Sequence, residues 1–258
     1  PETGVTASPD RSLSGSDSDM GDESGGAIGV AYSAIERIGN KDFADYTPED
    51  HLRLEEALIR LKSGGPWRIS RRMRSDRHGA IDVRGTVRSS LRTEGHPVTL
   101  ARRRQRRKQR QLTFVCDVSG SMKPYARAVL GLAHVALRAR RRVEVLAFAT
   151  RLTRITSELV ERDPSAAMAS AADAVVDWSG GTRIGESLGD LNRRHREILN
   201  GAVVVIASDG WDLGDPGELA FEADLLQRIA HRVIWINPRL RDPGFEPLTR
   251  GMSAALPH

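Results

Sequence analysis

Residues 201–208, Gly-Ala-Val-Val-Val-Ile-Ala-Ser, form an apolar run that stops at Asp209-Gly210. A strand of this kind has no polar face to offer water, so it belongs inside a sheet covered on both sides. A second run, Leu112-Thr113-Phe114-Val115-Cys116, has the same character and stops at Asp117. Around these two, helix and strand patterns alternate. Pro124 to Arg140 reads as a helix with Tyr125, Val129, Leu132 and Ala136 on one face. Strands are expected at 142–150 and at Val233–Ile236, and helices at Pro164–Val176, Glu186–Leu199 and Pro216–Ala230. Leu152 to Val160 follows the 142–150 strand after only Thr150-Arg151, a joint that suits an antiparallel, half-exposed edge. Residues 111–258 are therefore expected to be an α/β domain, with a mostly parallel central sheet, one antiparallel edge strand and helices on both faces.

Upstream the chain changes character. Residues 1–26 carry one basic and six acidic side chains and almost nothing large and apolar. That cannot offset ordering entropy, so a disordered acidic tail is expected. Residues 27–110 read as a helical, Arg-rich accessory region. Ile28, Val30, Tyr32, Ile35 and Ile38 suggest a short helix. Thr47-Pro48-Glu49-Asp50 opens another, with Thr47 as N-cap and Pro48 at the first helical position, and it runs to Leu61 before Ser63-Gly64-Gly65-Pro66. Residues 68–110 hold fifteen basic and three acidic side chains, whereas 111–258 hold eighteen of each. Arg84, Arg88 and Arg92 would make one basic stripe on a helix beside Val83, Val87 and Leu91. Such a stripe is a solvated surface, a face for an acidic protein or a site for nucleic-acid phosphate. Without interleaved aromatics for base stacking, nucleic acid is the weakest of the three.

No stretch of eighteen apolar residues and no basic-then-apolar leader occurs, so a cytoplasmic protein with no membrane span is expected. The chain opens at Pro1 rather than Met, as a fragment or a trimmed chain would, which weakens any reading from the missing leader. Its single cysteine, Cys116, excludes an internal disulfide framework and a Cys-rich zinc site, and its apolar strand favours inert packing.

The chemistry concentrates where the two apolar runs end. Asp117-Val118-Ser119-Gly120-Ser121 places a carboxylate and two hydroxyls at alternate positions in a strand-loop-helix junction, and Asp209 follows the other run. Ligands of open α/β sheets bind beyond the carboxyl ends of the strands. If the two strands are neighbours, these groups share a crevice, and the Gly-rich loop Trp178-Ser179-Gly180-Gly181-Thr182 can bring the Thr182 hydroxyl to its rim. All are oxygen donors, which suits a hard cation such as Mg2+, with Mn2+ or Ca2+ as alternatives. The plainer reading is a turn followed by a Ser helix cap. Asp212 is either an acceptor that orders its loop or a cap for the next turn. Arg183 either steers an acidic partner or is a solvated charge. Trp211, with Trp178 and Trp235, either lines the crevice or fills core. His134, His195 and His231 lack ligand-spaced partners and read as ordinary surface or core residues.

Asp117, Ser119, Ser121, Thr182 and Asp209 together resemble the metal-ion-dependent adhesion site of von Willebrand factor A (VWA) domains, which have a Rossmann-like fold. The tracts Phe148–Thr156, Asp177–Gly185, Ser208–Asp212, Ile234–Pro238 and Gly251–Pro257 are similar to the bacterial CoxE-like branch, and the chain is expected to stop just short of the usual family end. The resemblance implies a magnesium-centred site completed by a partner's Asp or Glu, and a binding module rather than an enzyme. It also implies a MoxR-type AAA+ ATPase as partner and a role in maturing or remodelling a metalloenzyme such as a molybdenum hydroxylase or CO dehydrogenase. Two other readings stand beside it. One is a Mg-dependent hydrolase or phosphotransferase with Asp117 as nucleophile, which lacks a second acid two residues on, a base for Ser119 and a P-loop lysine. The other is nucleic-acid binding through residues 68–110.

Overall fold

The computed structural model describes residues 67–94, 96, 99–175, 181–241 and 249–255. The expectations for the acidic tail 1–26, for the helices before residue 62, for Trp178 to Gly180 and for the last three residues lie outside these. The described chain begins with β1 (Trp67–Ile81), α1 (Val83–Ser90) and β2 (Arg102–Gln109), and β1 and β2 pair as an antiparallel ribbon. Then come β3 (Leu112–Asp117), α2 (Lys123–Ala139), β4 (Val143–Phe148), β5 (Leu152–Arg154), α3 (Pro164–Ala174) and α4 (Ile184–Arg194). They are followed by α5 (Arg196–Leu199), β6 (Val203–Ala207), α6 (Pro216–Ile229), β7 (Arg232–Ile236) and α7 (Arg250–Ala255). The last five strands form one sheet in the order β5-β4-β3-β6-β7, parallel except for β5.

Side-chain alternation builds the layers. Leu112, Phe114 and Cys116 of β3 face one side with Val145 and Val205, and pack against Val129, Leu132, Ala167 and Ala171 of α2 and α3. Val115, Leu146, Val204 and Ile206 face the other side and meet Leu188, Leu199, Leu219 and Leu226 of α4 to α6. Each such burial contributes roughly 1.5–3 kcal/mol. Thr113, buried on that second face, donates from Oγ1 to the Ile198 carbonyl at 2.8 Å, so its hydroxyl is not left unpaired. Asp163 and Asp215 cap α3 and α6 in front of Pro164 and Pro216, accepting from the first backbone N–H groups of each helix.

The α/β sheet and its antiparallel edge match the sequence expectation. Three details differ. β5 ends at Arg154 because Ile155 turns into the core and the Thr156 hydroxyl takes over the Val145 N–H at 2.9 Å. The helix expected over Glu186–Leu199 breaks at His195, whose backbone (φ −126, ψ 27) leaves the helical region and redirects Ile198 and Leu199 inward. The Arg-rich region, read as helical, is helical at Val83–Ser90 with a 3-10 turn at Leu91–Thr93, while its flanks are paired strands. Arginine runs carry no apolar period, so the spacing of Arg84, Arg88 and Arg92 says nothing about the segments beside them.

Strand order fixes where a ligand can sit. From β3 the chain crosses to β4 on one side and later returns to β6 on the other, so the order reverses between β3 and β6, and their carboxyl ends carry Asp117 and Asp209. No helix among the described residues is long and apolar enough to cross a membrane.

Candidate metal centre

Asp117 ends β3 and is fully buried. Its Oδ1 accepts from the Ser119 N–H at 2.9 Å and its Oδ2 from the Ser208 hydroxyl at 2.6 Å, so the carboxylate is held at both oxygens. Ser208 in turn accepts from the Gly210 N–H at 3.0 Å, and its carbonyl is held by the Trp235 indole N–H at 2.9 Å. The loop after Asp117 brings the Ser119 and Ser121 hydroxyls within 3.3 Å of each other, with Ser119 buried and Ser121 exposed. Neither serine caps α2, which starts after Met122 without a side-chain cap. The plain reading of this stretch as a Ser cap therefore fails.

Asp209 is fully buried beyond β6; its Oδ1 accepts from the Trp211 N–H at 3.0 Å, and Arg239 Nη1 lies 3.4 Å from its Oδ2. The turn behind it depends on Gly210, at φ +74, where a Cβ would come within 2.4 Å of Met252 Cγ. A non-glycine residue is strained in that region whatever the space. Gly251 presses on the same turn, since a Cβ there would meet the Gly210 carbonyl oxygen at 2.4 Å.

Thr182 is buried on the third loop, and two bonds stitch that loop to the Asp209 loop. Its carbonyl accepts from the Leu213 N–H at 3.0 Å, and Asp212 Oδ1 accepts from the Ile184 N–H at 2.9 Å. Asp212 also takes the Gly214 N–H at 3.1 Å, so it both ties the two loops together and caps the turn that follows it. The Arg183 N–H donates to Ala149 at the end of β4, while its guanidinium pairs with Glu186 at 2.7 Å and is engaged on its own helix. Trp211 is more than half exposed on the loop after Asp209, and Trp235 holds the end of β6 through its bond to the Ser208 carbonyl.

Burial pushes the Asp117 carboxyl up to about 6, with nearby Asp209 adding to the rise and the Ser119 and Ser208 hydrogen bonds opposing it. A buried carboxyl whose charged form is disfavoured by burial and by a neighbouring carboxylate is stabilised by added positive charge; Arg239 supplies one such charge on the Asp209 side, and a cation beside Asp117 would supply another. Among the described residues no three His, Cys, Asp or Glu side chains form a metal cluster, so the candidate donors are the Asp117 and Asp209 carboxylates and the Ser119 and Ser121 hydroxyls, with buried Thr182 on the adjoining loop. That is an all-oxygen set of low charge, which fits a hard divalent ion that keeps water or an outside oxygen in its shell. The Cys116 thiol beside Asp117 is pushed far up by burial and is inert.

Sequence reasoning did not single out Ser208 or Arg239. Ser208 was legible as a hydroxyl at the last position of a buried strand, where an unpaired polar group is costly. Arg239 had no such signal, because the chain reaches Asp209 only after passing through β7.

The fold and this crevice define the class: an α/β domain of VWA type, with an oxygen-rich site at the topological switch point. The chain belongs to the VWA domain containing CoxE-like family, whose model matches residues 54–258. Among curated proteins no relative matches. A solved structure, proximal thread matrix protein 1 from the mussel byssus, is similar at 18% identity and a TM-score of 0.33. That match covers 49% of this chain and 34% of that one, too slight a likeness to bear on function.

Proposed function

We propose that this protein is a metal-dependent protein-binding adaptor rather than an enzyme. Asp117, Ser119, Ser121, Thr182 and Asp209 would hold Mg2+, with Mn2+ or Ca2+ as substitutes. A bound divalent ion supplies an open coordination position that an outside carboxylate completes. The observation that carries the reading is the grading of burial across one oxygen set: four members are buried and Ser121 alone stands exposed at the mouth. A macromolecular carboxylate would reach such a site past exposed Ser121, and Trp211 and Leu213, exposed on the loop that follows Asp209, offer apolar contact.

Both Asp117 oxygens already accept hydrogen bonds, which holds the carboxylate as a fixed acceptor and speaks against its use as an attacking nucleophile. Family membership supports a partner of the MoxR-type AAA+ class, in the cytoplasm, with a metalloenzyme such as a molybdenum hydroxylase or CO dehydrogenase as the remodelled client. Calorimetric titration with Mg2+ and Mn2+ tests the site: wild type binds and Asp117→Ala does not. Equal affinity in the two proteins removes the proposal. Capture of a purified MoxR-type ATPase with and without chelator tests the partner, and capture that ignores the chelator removes the metal from the interface. Turnover of a phosphate ester that is lost in Asp117→Ala would restore the enzymatic alternative.

A further inference from the structure

The β1–β2 ribbon joins the sheet through β2 at the opposite end of β3 from Asp117. Arg110 anchors the joint by donating to the Gly201 carbonyl at 3.2 Å, and Arg140 donates to the Arg110 carbonyl at 3.3 Å. Beyond this root the two strands contact each other and make no extensive contact with any other described element. A bare two-stranded ribbon is marginally stable in water. This one also opposes like charges, with Arg68 across from Lys108 and Arg74 across from Arg104. Counter-charge comes from Asp76, 3.5 Å from Arg74, and from Asp82, 3.8 Å from Arg103, against the fifteen basic side chains of residues 68–110. Such a surface calls for an external anion.

Its geometry selects among anions. Alternate residues of a strand face opposite sides, so Arg102, Arg104 and Arg106 lie on one face of β2 and Arg103 and Arg107 on the other, all exposed. An acidic protein surface meets one face and leaves the other unneutralised. The major groove of B-form DNA, about 12 Å wide, admits a two-stranded ribbon and sets a phosphate backbone on either side of it. A-form RNA has a major groove too narrow for this. The eight residues of β2 span roughly 26 Å at about 3.3 Å each, most of one helical turn. The scarcity of aromatics counts against single strands, which are bound by base stacking, and not against a ribbon seated in a duplex groove.

We propose that the β1–β2 ribbon is a docking surface for double-stranded DNA, inserted in the major groove with arginines on phosphates along both faces. This surface is independent of the metal site. The test is fluorescence anisotropy of the full chain with a labelled B-form duplex between about 50 and 200 mM salt. Six phosphate contacts predict a slope of log Kobs against log salt of about −5. Changing Arg102, Arg104, Arg106 and Arg107 together to glutamine is expected to weaken binding at least tenfold at low salt and to flatten the slope by about 3 to 4. If that variant loses its thermal transition, the pair Arg104→Gln and Arg107→Gln is read instead, with a flattening of about 2. Asp117→Ala is expected to bind DNA as wild type does, so failure of the metal reading and failure of this one are separable. Absence of binding at low salt, or equal binding by the ribbon variants, overturns the proposal. Tighter binding of polyglutamate or of duplex RNA of matched charge does so as well.

Discussion

The five-stranded sheet and the β1–β2 ribbon use the same backbone pairing to opposite ends. In the sheet both faces are apolar, and the buried carboxylates that its strands carry lie at their carboxyl ends, where each oxygen of Asp117 has its own donor. In the ribbon both faces are charged and exposed, and no other described element packs extensively against them. In the proposed readings, charge buried at a point is met by Arg239 beside Asp209 and by a discrete ion in fixed geometry, whereas charge spread along a solvated ribbon is met by a polyanion through counterion release. The two regions should therefore answer to different reagents, the first to a chelator and the second to salt.

The comparison breaks most sharply in stability. Phe114→Ala removes a fully buried side chain from the central strand and is expected to cost about 3–5 kcal/mol by denaturant unfolding. Ile69→Ala, at a ribbon position 62% exposed, is expected to stay within about 0.5 kcal/mol. Similar losses in the two would mean that the ribbon folds onto a core of its own. Gly210→Ala comes next. It forces a Cβ at φ +74 into Met252 and Thr249, with an expected cost of about 3 kcal/mol. Because that turn carries Asp209, Mg2+ binding should weaken with it while DNA retention stays unchanged.

Ser208→Ala sharpens the contrast within the sheet itself. It leaves Asp117 Oδ2 and the Gly210 N–H without partners, at an expected cost of about 2 kcal/mol. Ser208 holds a metal ligand without being one in this reading, so Mg2+ affinity should fall about tenfold or more. An unchanged affinity would show that Asp117 does not depend on that hydrogen bond for its orientation.

Much of the sheet was readable in advance because its physics is written in apolar periodicity. Val203–Ala207 and Leu112–Cys116 admit only a central position, and the two-residue joint before Leu152 admits only an antiparallel neighbour. The placement of Asp117 and Asp209 at strand ends followed from the same pattern, whereas the adjacency of those strands was a condition that the strand order meets. What stayed hidden depends on contacts between distant residues. Arg239 reaches Asp209 by way of β7, and Asp212 acts on Ile184 across a loop. The ribbon was misread because arginine is at home on a helix and on a strand alike, so nothing in Arg102 to Lys108 distinguishes the two until β1 is seen beside it.

The smallest expected effect uses acid to separate the regions. His134 on α2 is buried, and its Nδ1–H donates to the Leu159 carbonyl at 2.9 Å. Burial holds its pKa below the ordinary 6.5, with Arg138 acting in the same direction and the Leu159 bond and Asp163 opposing. The folded state thus prefers the neutral ring. Its contribution is complete above about pH 6.5 and is lost as pH falls below that, once the unfolded chain takes up the proton more readily. Asp117 acts with the opposite sign, since a carboxyl raised to about 6 disfavours the fold less as pH drops toward that value and below. His231, also lowered by burial, adds to the His134 trend. The informative quantity is therefore the difference between wild type and His134→Asn, which keeps a donor for Leu159 and cannot titrate. Between about pH 7.5 and 5.5 the wild type should lose up to about 1 kcal/mol more than the variant. Identical pH profiles for the two proteins would remove His134 as an acid-sensitive group. DNA retention by the ribbon should not decline over this window, because guanidinium groups stay charged throughout.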